Sequence, residues 1–132
     1  MEQSLVFIKP DGVERGLIGE VLNRFEKRMI SVKKLQMMTL TSELCDKHYE
    51  EHVEKGFYSS LKEYVTSGPV VVMVLEAENV ISIIRKMVGA TNSAQAEPGT
   101  IRGDFALNTA NNIIHASDST ESAEREIANF FG

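Results

Sequence analysis

The chain has 132 residues, of which 42% are hydrophobic and 25% are charged, as is usual for a globular protein of one domain. We therefore expect a single domain over residues 1–132 and exclude disordered or low-complexity classes. Fourteen basic residues against nineteen acidic ones give a net charge of −5. This balance argues against nucleic acid as a partner, because such binding depends on a basic surface.

Apolar runs and cysteine usage predict the cellular compartment. The longest apolar run, Val70–Leu75, is far too short to cross a bilayer, and Lys9-Pro10-Asp11 interrupts the apolar stretch near the N-terminus. We therefore expect neither a membrane partner nor a secretory leader. Cys45 is the single cysteine and has no basic neighbour, so we expect an unreactive thiol in a reducing, cytoplasmic environment.

Apolar patterning in the first third of the chain predicts strand, helix and strand. Ser4–Ile8 is typical of a buried strand, and Lys9-Pro10-Asp11-Gly12 after it is typical of a turn. Residues 16–29 carry apolar side chains at helical spacing, which predicts an amphipathic helix. Residues 30–40 alternate but change phase, which predicts a strand with a bulge near Lys33-Lys34.

The rest of the chain continues the alternation around an inserted pair of helices. Val70–Leu75 is apolar at every position, which predicts a central strand covered on both faces. Residues 118–121 resemble a capping box with Asp118 at the cap, so a C-terminal helix is expected after them. The other expected elements are a helix from Ser42 to about His52, a short helix after Gly56, a helix over Glu78–Val88, a long loop from Gly89 to Asp104 and a strand over Asn112–Ala116.

This order of elements predicts the fold. Strands and crossover helices in the sequence β-α-β-β-α-β are typical of a ferredoxin-like α/β (α+β) sandwich. We expect a four-stranded antiparallel sheet covered by helices, with an inserted helical hairpin and a C-terminal helix.

His115 is the first candidate for chemistry. A histidine at the end of a strand can simply be held by a backbone carbonyl, or it can act as a nucleophile or base because it titrates near neutrality. Glu126 favours the second interpretation, since a carboxylate on the flank of an apolar helical stripe needs a partner. Strict strand alternation places Asn112 and His115 on opposite faces, so the chain must bend if both serve one site.

Three cations are candidates for binding phosphate. The chain contains neither a P-loop nor a G-x-G-x-x-G segment, so any phosphate must be held by charged side chains. Each of Lys9, Arg85 and Arg102 taken alone is interpretable as a surface charge. Gathered around one ligand, they would form a local basic cluster suited to phosphate.

Other aromatic and imidazole side chains have two interpretations each. His48 and His52 are four residues apart on a predicted helix, but Tyr49 occupies the place where the H-E-x-x-H zinc pattern has glutamate. We therefore interpret this pair as a solvated helix face and expect no protein-bound metal. Phe57 is either a packed loop aromatic or a platform on which a nucleobase stacks.

Taken together, these segments resemble the nucleoside diphosphate kinase family. Residues 112–118 (N-I-I-H-A-S-D) match the family signature N-x-x-H-[GA]-S-D. The resemblance extends over nearly the whole chain and includes Lys9-Pro10-Asp11-Gly12, His48-Tyr49, Phe57, Arg85, Ala90-Thr91-Asn92, the run Pro98 to Phe105, and Glu121-Ser122-Ala123-Glu124.

The resemblance implies transfer of the γ-phosphate of a nucleoside triphosphate, mainly ATP, to other ribo- and deoxyribonucleoside diphosphates. His115 matches the residue that is phosphorylated on Nδ1 in a ping-pong mechanism, Glu126 matches the residue that holds the other ring nitrogen, and Ser117 matches the partner of that carboxylate. Positions matching the family's phosphate and ribose contacts are Lys9, Tyr49, Arg85, Thr91, Arg102 and Asn112, of which Lys9 and Tyr49 are also counted in the catalytic set. Phe57 matches the base-stacking residue, with Thr109 on the other side of the base.

The resemblance also implies Mg²⁺, carried by the nucleotide phosphates, and a homo-oligomer, either a hexamer or a tetramer, built from a common dimer. Three positions depart from the family pattern. Thr109 replaces a common aliphatic residue, Ser93 replaces a common proline in a loop used for subunit contacts, and Gly56 replaces the usual proline before Phe57.

Two other functions remain open on the sequence. A binding module with this fold would need neither His115, Glu126 nor the cations. A phosphohistidine carrier that exchanges phosphate with a protein partner would keep His115 but would not need Phe57, and it would not turn over free nucleotides.

Overall fold

A computed structural model describes all residues from 1 to 132. None of its helices has both the length and the apolar character needed to cross a bilayer. In chain order the elements are β1 (Glu2–Ile8), α1 (Pro10–Glu14), α2 (Ile18–Lys27), β2 (Ser31–Thr39), α3 (Ser42–His48), α4 (Tyr58–Val65), β3 (Pro69–Ala77), α5 (Val80–Val88), a 3₁₀ turn (Ser93–Gln95), α6 (Ile101–Phe105), β4 (Ile114–Ala116) and α7 (Thr120–Phe131).

The four strands form one antiparallel sheet in the order β2-β3-β1-β4. The apolar strands β1 and β3 are internal, whereas β2, most of whose residues are exposed, and the three-residue β4 are the edges. The register passes from Val32 opposite Leu75 to Lys34 opposite Val74, so Lys33 is the predicted bulge. These features confirm the predicted four-stranded antiparallel sheet.

Each face of the sheet is covered by helices. Alternate residues of β1 point to opposite sides: Val6 and Ile8 belong to an apolar cluster with α2 and α5, and Leu5 and Phe7 belong to one with α3, α4 and α7. All four side chains are fully buried. The α3–α4 pair and the C-terminal helix thus lie on the same face, and the predicted ferredoxin-like sandwich with an inserted helical hairpin is confirmed.

Several predicted boundaries were wrong for local reasons. The turn expected at Lys9–Gly12 opens a short helix, because Pro10 fits the first position of a helix. The helix expected to reach His52 ends at His48 and continues as turns. The cap of α7 is Ser119, whose hydroxyl accepts from the Ser122 amide, so Asp118 is not the capping residue.

Two other expectations about irregular segments also need correction. The stretch from Gly89 to Asp104 is not a bare loop, since it contains the 3₁₀ turn and the first part of α6. The Thr100 hydroxyl caps α6 by accepting from the Gly103 amide. The last strand begins at Ile114 rather than Asn112, because Ile113 has a φ of 74° that no strand tolerates.

Candidate active site

His115 lies at the centre of a polar chain on the edge strand β4. Its Nε2 is 3.1 Å from Oε1 of Glu126, and the Ser117 hydroxyl is 2.7 Å from the same oxygen. Glu126 is 4% exposed and Ser117 is fully buried. Since a carboxylate can only accept, the contact places a proton on Nε2, and a neutral ring then has its lone pair on Nδ1. In that tautomer Nδ1, rather than Nε2, is the ring nitrogen able to act as a nucleophile.

The backbone and the aromatic core hold this imidazole in place. In the register of β1 and β4, Phe7 lies opposite His115, and their rings stack with centroids 5.0 Å apart. The Ser117 hydroxyl also accepts from the amide of Leu5, which ties the Glu126 partner to β1. The two strands that carry the site are thus joined by side-chain contacts as well as by the ladder.

Lys9 is a buried cation aimed at the same pocket. Its ammonium donates to Oδ1 of Asn112 at 2.7 Å, and its side chain is 8% exposed overall. Burial, with a smaller contribution from the nearby charge of Arg102, lowers the pKa of Lys9 to about 8. An anion beside Lys9 would stabilise its charged ammonium and raise its pKa again. This part of the pocket therefore favours phosphate.

The guanidinium of Arg102 binds backbone carbonyl groups. Its guanidinium donates to the carbonyl oxygens of Gly89, Asn112 and Ile114 at 3.0, 3.3 and 2.7 Å, and the residue is 3% exposed. Burial and the neighbouring Arg85 charge lower the pKa of Arg102 to about 10. Arg102 therefore fixes the pocket wall as well as supplying charge, a role that the sequence did not indicate.

Arg85 is the exposed member of the three cations. One of its guanidinium nitrogens lies 3.3 Å from the carbonyl oxygen of Ala116, and the rest of the group faces solvent at the pocket. The expected basic cluster thus consists of two buried cations and an exposed one.

A strained residue brings Asn112 and His115 to one site. Ile113 is fully buried with a φ of 74°, a left-handed conformation that costs a β-branched residue about 1–3 kcal/mol. Its carbonyl oxygen accepts from the Lys9 amide, which fixes the reversal of direction. The bend that the sequence required between Asn112 and His115 is therefore present.

These side chains face one cavity of about 720 Å³. It lies between β4, α7 and the α3–α4 hairpin. All predicted site residues line it except Ser117, which lies behind Glu126: Lys9, Tyr49, Phe57, Arg85, Thr91, Arg102, Thr109, Asn112, His115 and Glu126.

The far wall of the cavity is aromatic. Phe57 is 54% exposed at the start of α4, so it is not the packed loop aromatic of the first interpretation. His52 lies beside it with ring centroids 5.7 Å apart. The hairpin that carries this wall is tied to α1 by a hydrogen bond from the Tyr64 hydroxyl to Asp11. An exposed flat ring at the mouth of a pocket is suited to stacking against a planar ligand.

His48 was wrongly interpreted as part of a solvated helix face. It is 4% exposed, and its ring meets the His115 ring edge-on with centroids 4.6 Å apart. Burial, followed by the nearby His115, lowers the pKa of His48 well below its ordinary value. A signal was present in the sequence, because Leu44, Cys45 and His48 recur at the spacing of one helix face.

Cys45 agrees with the expectation of an unreactive thiol. It is fully buried, and burial raises its pKa.

Comparison with known proteins assigns the family. The family model described as nucleoside diphosphate kinase matches residues 2–132. The chain is 56% identical to a nucleoside diphosphate kinase of Methanocaldococcus jannaschii, over 98% of this chain and 93% of that protein. It is 53% identical to one of Archaeoglobus fulgidus, over 99% of this chain and 87% of that protein.

Solved structures agree with the sequence relatives. A nucleoside diphosphate kinase from Encephalitozoon cuniculi superposes with a TM-score of 0.98 at 38% identity, covering 100% of this chain and 90% of that one. A halophilic nucleoside diphosphate kinase from Halobacterium salinarum, solved in complex with CDP, superposes with a TM-score of 0.96 at 42% identity, covering 98% of this chain and 87% of that one.

The fold, together with these comparisons, defines an enzyme of the class that transfers phosphoryl groups between nucleotides. The chain belongs to the nucleoside diphosphate kinase family. Enzymes of this family move the γ-phosphate of a nucleoside triphosphate to a nucleoside diphosphate by a ping-pong mechanism through a phosphohistidine.

Proposed function

We propose that His115 is the histidine that carries the phosphoryl group in this chain. The observation that supports the assignment is the chain of contacts from His115 through Glu126 to Ser117, at 3.1 and 2.7 Å, beside an open pocket. Nδ1 attacks the γ-phosphorus as the bond to the nucleoside diphosphate breaks, and a second nucleoside diphosphate then takes the group from Nδ1. Glu126 keeps the Nε2 proton in place through both half-reactions.

The cations stabilise the charge that moves during transfer. Phosphoryl transfer passes through a loose transition state, so positioning and charge compensation account for most of the catalysis. We assign this role to Lys9, Arg85 and Arg102. The lowered pKa of Lys9, about 8, leaves it mostly charged at neutral pH, and a phosphate beside it strengthens that charge.

The aromatic wall and the polar loop hold the nucleoside. We assign Phe57 and Thr109 to the two sides of the base, and Tyr49, Thr91 and Asn112 to phosphate and ribose. The CDP bound to the Halobacterium salinarum relative supports a nucleoside diphosphate as the ligand. Stacking on Phe57 senses a ring face rather than base edges, so we expect little discrimination among bases.

The remaining assignments concern the cofactor and the assembly. Mg²⁺ enters as part of the nucleotide complex, and no residue of the chain is assigned as its ligand. We propose that residues 1–132 form a single cytoplasmic domain that assembles as a hexamer or a tetramer of dimers. The exposed edge strand β2 supports a dimer contact, since Leu35 and Met37 on it are 52% and 55% exposed.

Steady-state kinetics tests the proposed function. With ATP and a second nucleoside diphosphate varied against each other, double-reciprocal plots should give parallel lines, and His115→Ala should abolish turnover while retaining nucleotide binding. Intersecting lines would contradict an enzyme-bound phosphoryl intermediate. Activity in His115→Ala comparable to that of the wild type would contradict the assignment to His115.

A further inference from the structure

His48 is a buried titratable group that the proposed reaction does not use. It is 4% exposed, and its Nδ1 has no hydrogen-bond partner. Nearly all buried polar atoms in proteins are paired, so an unpaired ring nitrogen beside a reactive centre needs an explanation. The ring lies among Phe7, Phe130 and His115 and meets each of these rings edge-on.

One ring nitrogen of His48, one of His115 and a carboxylate oxygen of Glu126 lie within 4.8 Å of one another. A tetrahedral ion with bonds near 2.0–2.1 Å holds its ligands about 3.4 Å apart. Nε2 of His115 and Oε1 of Glu126, 3.1 Å apart, are already close to that separation. Since the ligand atom of His48 lies within 4.8 Å of the other two, an inward shift of at most about 1.4 Å would complete the third corner.

We propose that His48, His115 and Glu126 form a binding site for a divalent transition-metal ion such as Zn²⁺, and that the bound ion blocks phosphorylation of His115. Two imidazoles and one carboxylate are a common zinc ligand set, with the fourth position left to water. The open pocket at His115 provides room for that water. Imidazole ligands favour zinc over magnesium, so this site differs from the Mg²⁺ carried by nucleotide phosphates.

The protonation state of His48 and the hydrogen bond from Ser117 to Glu126 suit a metal site. The lowered pKa of His48 keeps its ring neutral, with a lone pair available at neutral pH. The Ser117 hydroxyl, 2.7 Å from Oε1 of Glu126, supplies the outer-shell hydrogen bond that orients metal-bound carboxylates. The nearby charges of Lys9 and Arg125 oppose a cation, so we expect reversible binding rather than a permanent structural ion.

Inhibition follows from the two tautomers of the imidazole and rests on the proposed role of His115. In the free enzyme Nε2 carries the proton and Nδ1 carries the lone pair that attacks phosphorus. A metal ion bound to Nε2 needs the lone pair there, so the ring proton moves to Nδ1. No proton is gained or lost overall, but the nucleophilic lone pair is removed.

Zinc binding is measured on the full chain after treatment with a chelator, by competition with a chromophoric zinc indicator. We expect the wild type to bind one Zn²⁺ per chain. His48→Asn should bind Zn²⁺ at least roughly tenfold more weakly than the wild type does. His52→Asn is the matched control, since His52 is in the same segment but outside the cluster, and it should bind zinc as the wild type does. Stoichiometric binding that persists in His48→Asn, or no stoichiometric binding in the wild type, would overturn the proposal.

A Co²⁺ spectrum of the wild type tests the site without relying on a variant that could misfold. Co²⁺ added to the wild type should give the intense visible absorption of tetrahedral coordination, which requires no substitution, and Glu126→Gln should weaken it. A Co²⁺ spectrum with only weak octahedral bands would count against the site.

Labelling of His115 by γ-labelled ATP, with Mg²⁺ in excess over ATP, should fall with the same zinc midpoint as the indicator. Undiminished labelling with zinc bound would overturn the inhibition. Failure of the zinc-free protein to become labelled in the presence of Mg²⁺ and ATP would instead contradict the proposed function. The indicator titration would still decide whether the zinc site exists.

Discussion

At the scale of single residues, the carboxylate of Glu126 governs the orientation and tautomer of His115. Glu126→Gln keeps the size of the side chain but removes the negative charge, and its amide can turn to present a donor to Nε2. We expect the rate of phosphorylation of His115 to fall roughly 100-fold or more, with little change in nucleotide affinity, because Glu126 does not hold the nucleotide in this account. Single-turnover labelling and equilibrium binding separate the two effects.

Ser117→Ala provides a graded comparison for that variant. It removes the 2.7 Å contact to Glu126 but keeps the carboxylate, so its effect should be smaller than that of Glu126→Gln. An equal loss in both variants would indicate that the hydroxyl, rather than the charge, orients the imidazole.

Lys9 should couple nucleotide binding to proton uptake. Its pKa is about 8 in the free chain against an ordinary value of 10.5, and phosphate oxygens beside it raise the pKa again. Between pH 8 and 9, Lys9 is therefore protonated in a smaller fraction of free chains than of complexes. Binding of ADP should then take up a fraction of a proton. Calorimetry in buffers of different ionisation enthalpy measures this uptake.

The lowered pKa of Lys9 also makes the stability of the fold depend on pH. Because the pKa of folded Lys9 is lower than that of the unfolded chain, the contribution of Lys9 to the free energy of unfolding rises as pH increases from about 8 to 10.5. Lys9→Met should show no coupled proton uptake at this site, whereas Lys62→Met in α4, outside the cavity, should retain it. Proton release on binding in the wild type would contradict the account.

At the scale of elements, the short helix α1 is packed against the bent segment before β4. A Cβ added at Gly12 would lie 2.7 Å from Cγ2 of Ile8 and 2.9 Å from Cγ2 of Ile113, both fully buried. Gly12→Ala should therefore lower the free energy of unfolding by about 1–3 kcal/mol, the usual cost of overpacking. Because Ile113 sets the direction of Asn112, nucleotide affinity should fall as well.

Gly19→Ala is the matched control for this substitution. Gly19 lies in α2 with no atom within 4 Å of an added Cβ, so alanine there should stabilise the chain by up to about 1 kcal/mol. Urea denaturation of both variants measures the difference. A neutral Gly12→Ala would show that α1 is free to relax and does not fix the bend.

Periodicity in the sequence predicted those elements whose side chains repeat a buried face. The helices α2 and α5 are of this kind, whereas the internal strand β3 was predicted from an unbroken apolar run and the bulge at Lys33 from a change of phase. The five-residue helices α1 and α6 are too short to show a period, so their sequences suggested only turns and loops. Helix ends were misplaced where one hydroxyl decides the cap, as at Ser119.

The sequence predicted which residues gather around the cavity but not how the chain brings them together. Glu126 and His115 were paired in the prediction because a carboxylate on an apolar flank needs a partner, and they lie in contact. The left-handed Ile113 was not predictable, since nothing in a β-branched residue favours that conformation. The burial of His48 was predictable, since it shares one helix face with Leu44 and Cys45, but its spacing from His52 favoured a solvated face instead.

At the scale of the whole molecule, the exposed edge of the sheet bears on assembly. Strand β2 presents Leu35 and Met37 to solvent, and an apolar edge strand is a template for pairing with another chain. Under the proposed oligomer, Met37→Lys should lower the mass measured by light scattering after size-exclusion chromatography. Val53→Lys, at a position 40% exposed in a turn, should leave it unchanged, and a wild type with the mass of one chain would contradict the proposed assembly.

In the proposed reaction, a phosphoryl group resides on His115 after one nucleotide leaves and before the next one arrives. Incubation of the pure protein with γ-labelled ATP and Mg²⁺, without an acceptor, followed by a chase with GDP, tests it most directly. We expect label approaching one group per chain, stable in base and labile in acid, absent from His115→Ala and released as GTP. Label that GDP cannot remove would indicate a carrier for a protein partner, and the absence of label on a protein that binds nucleotide would contradict the account.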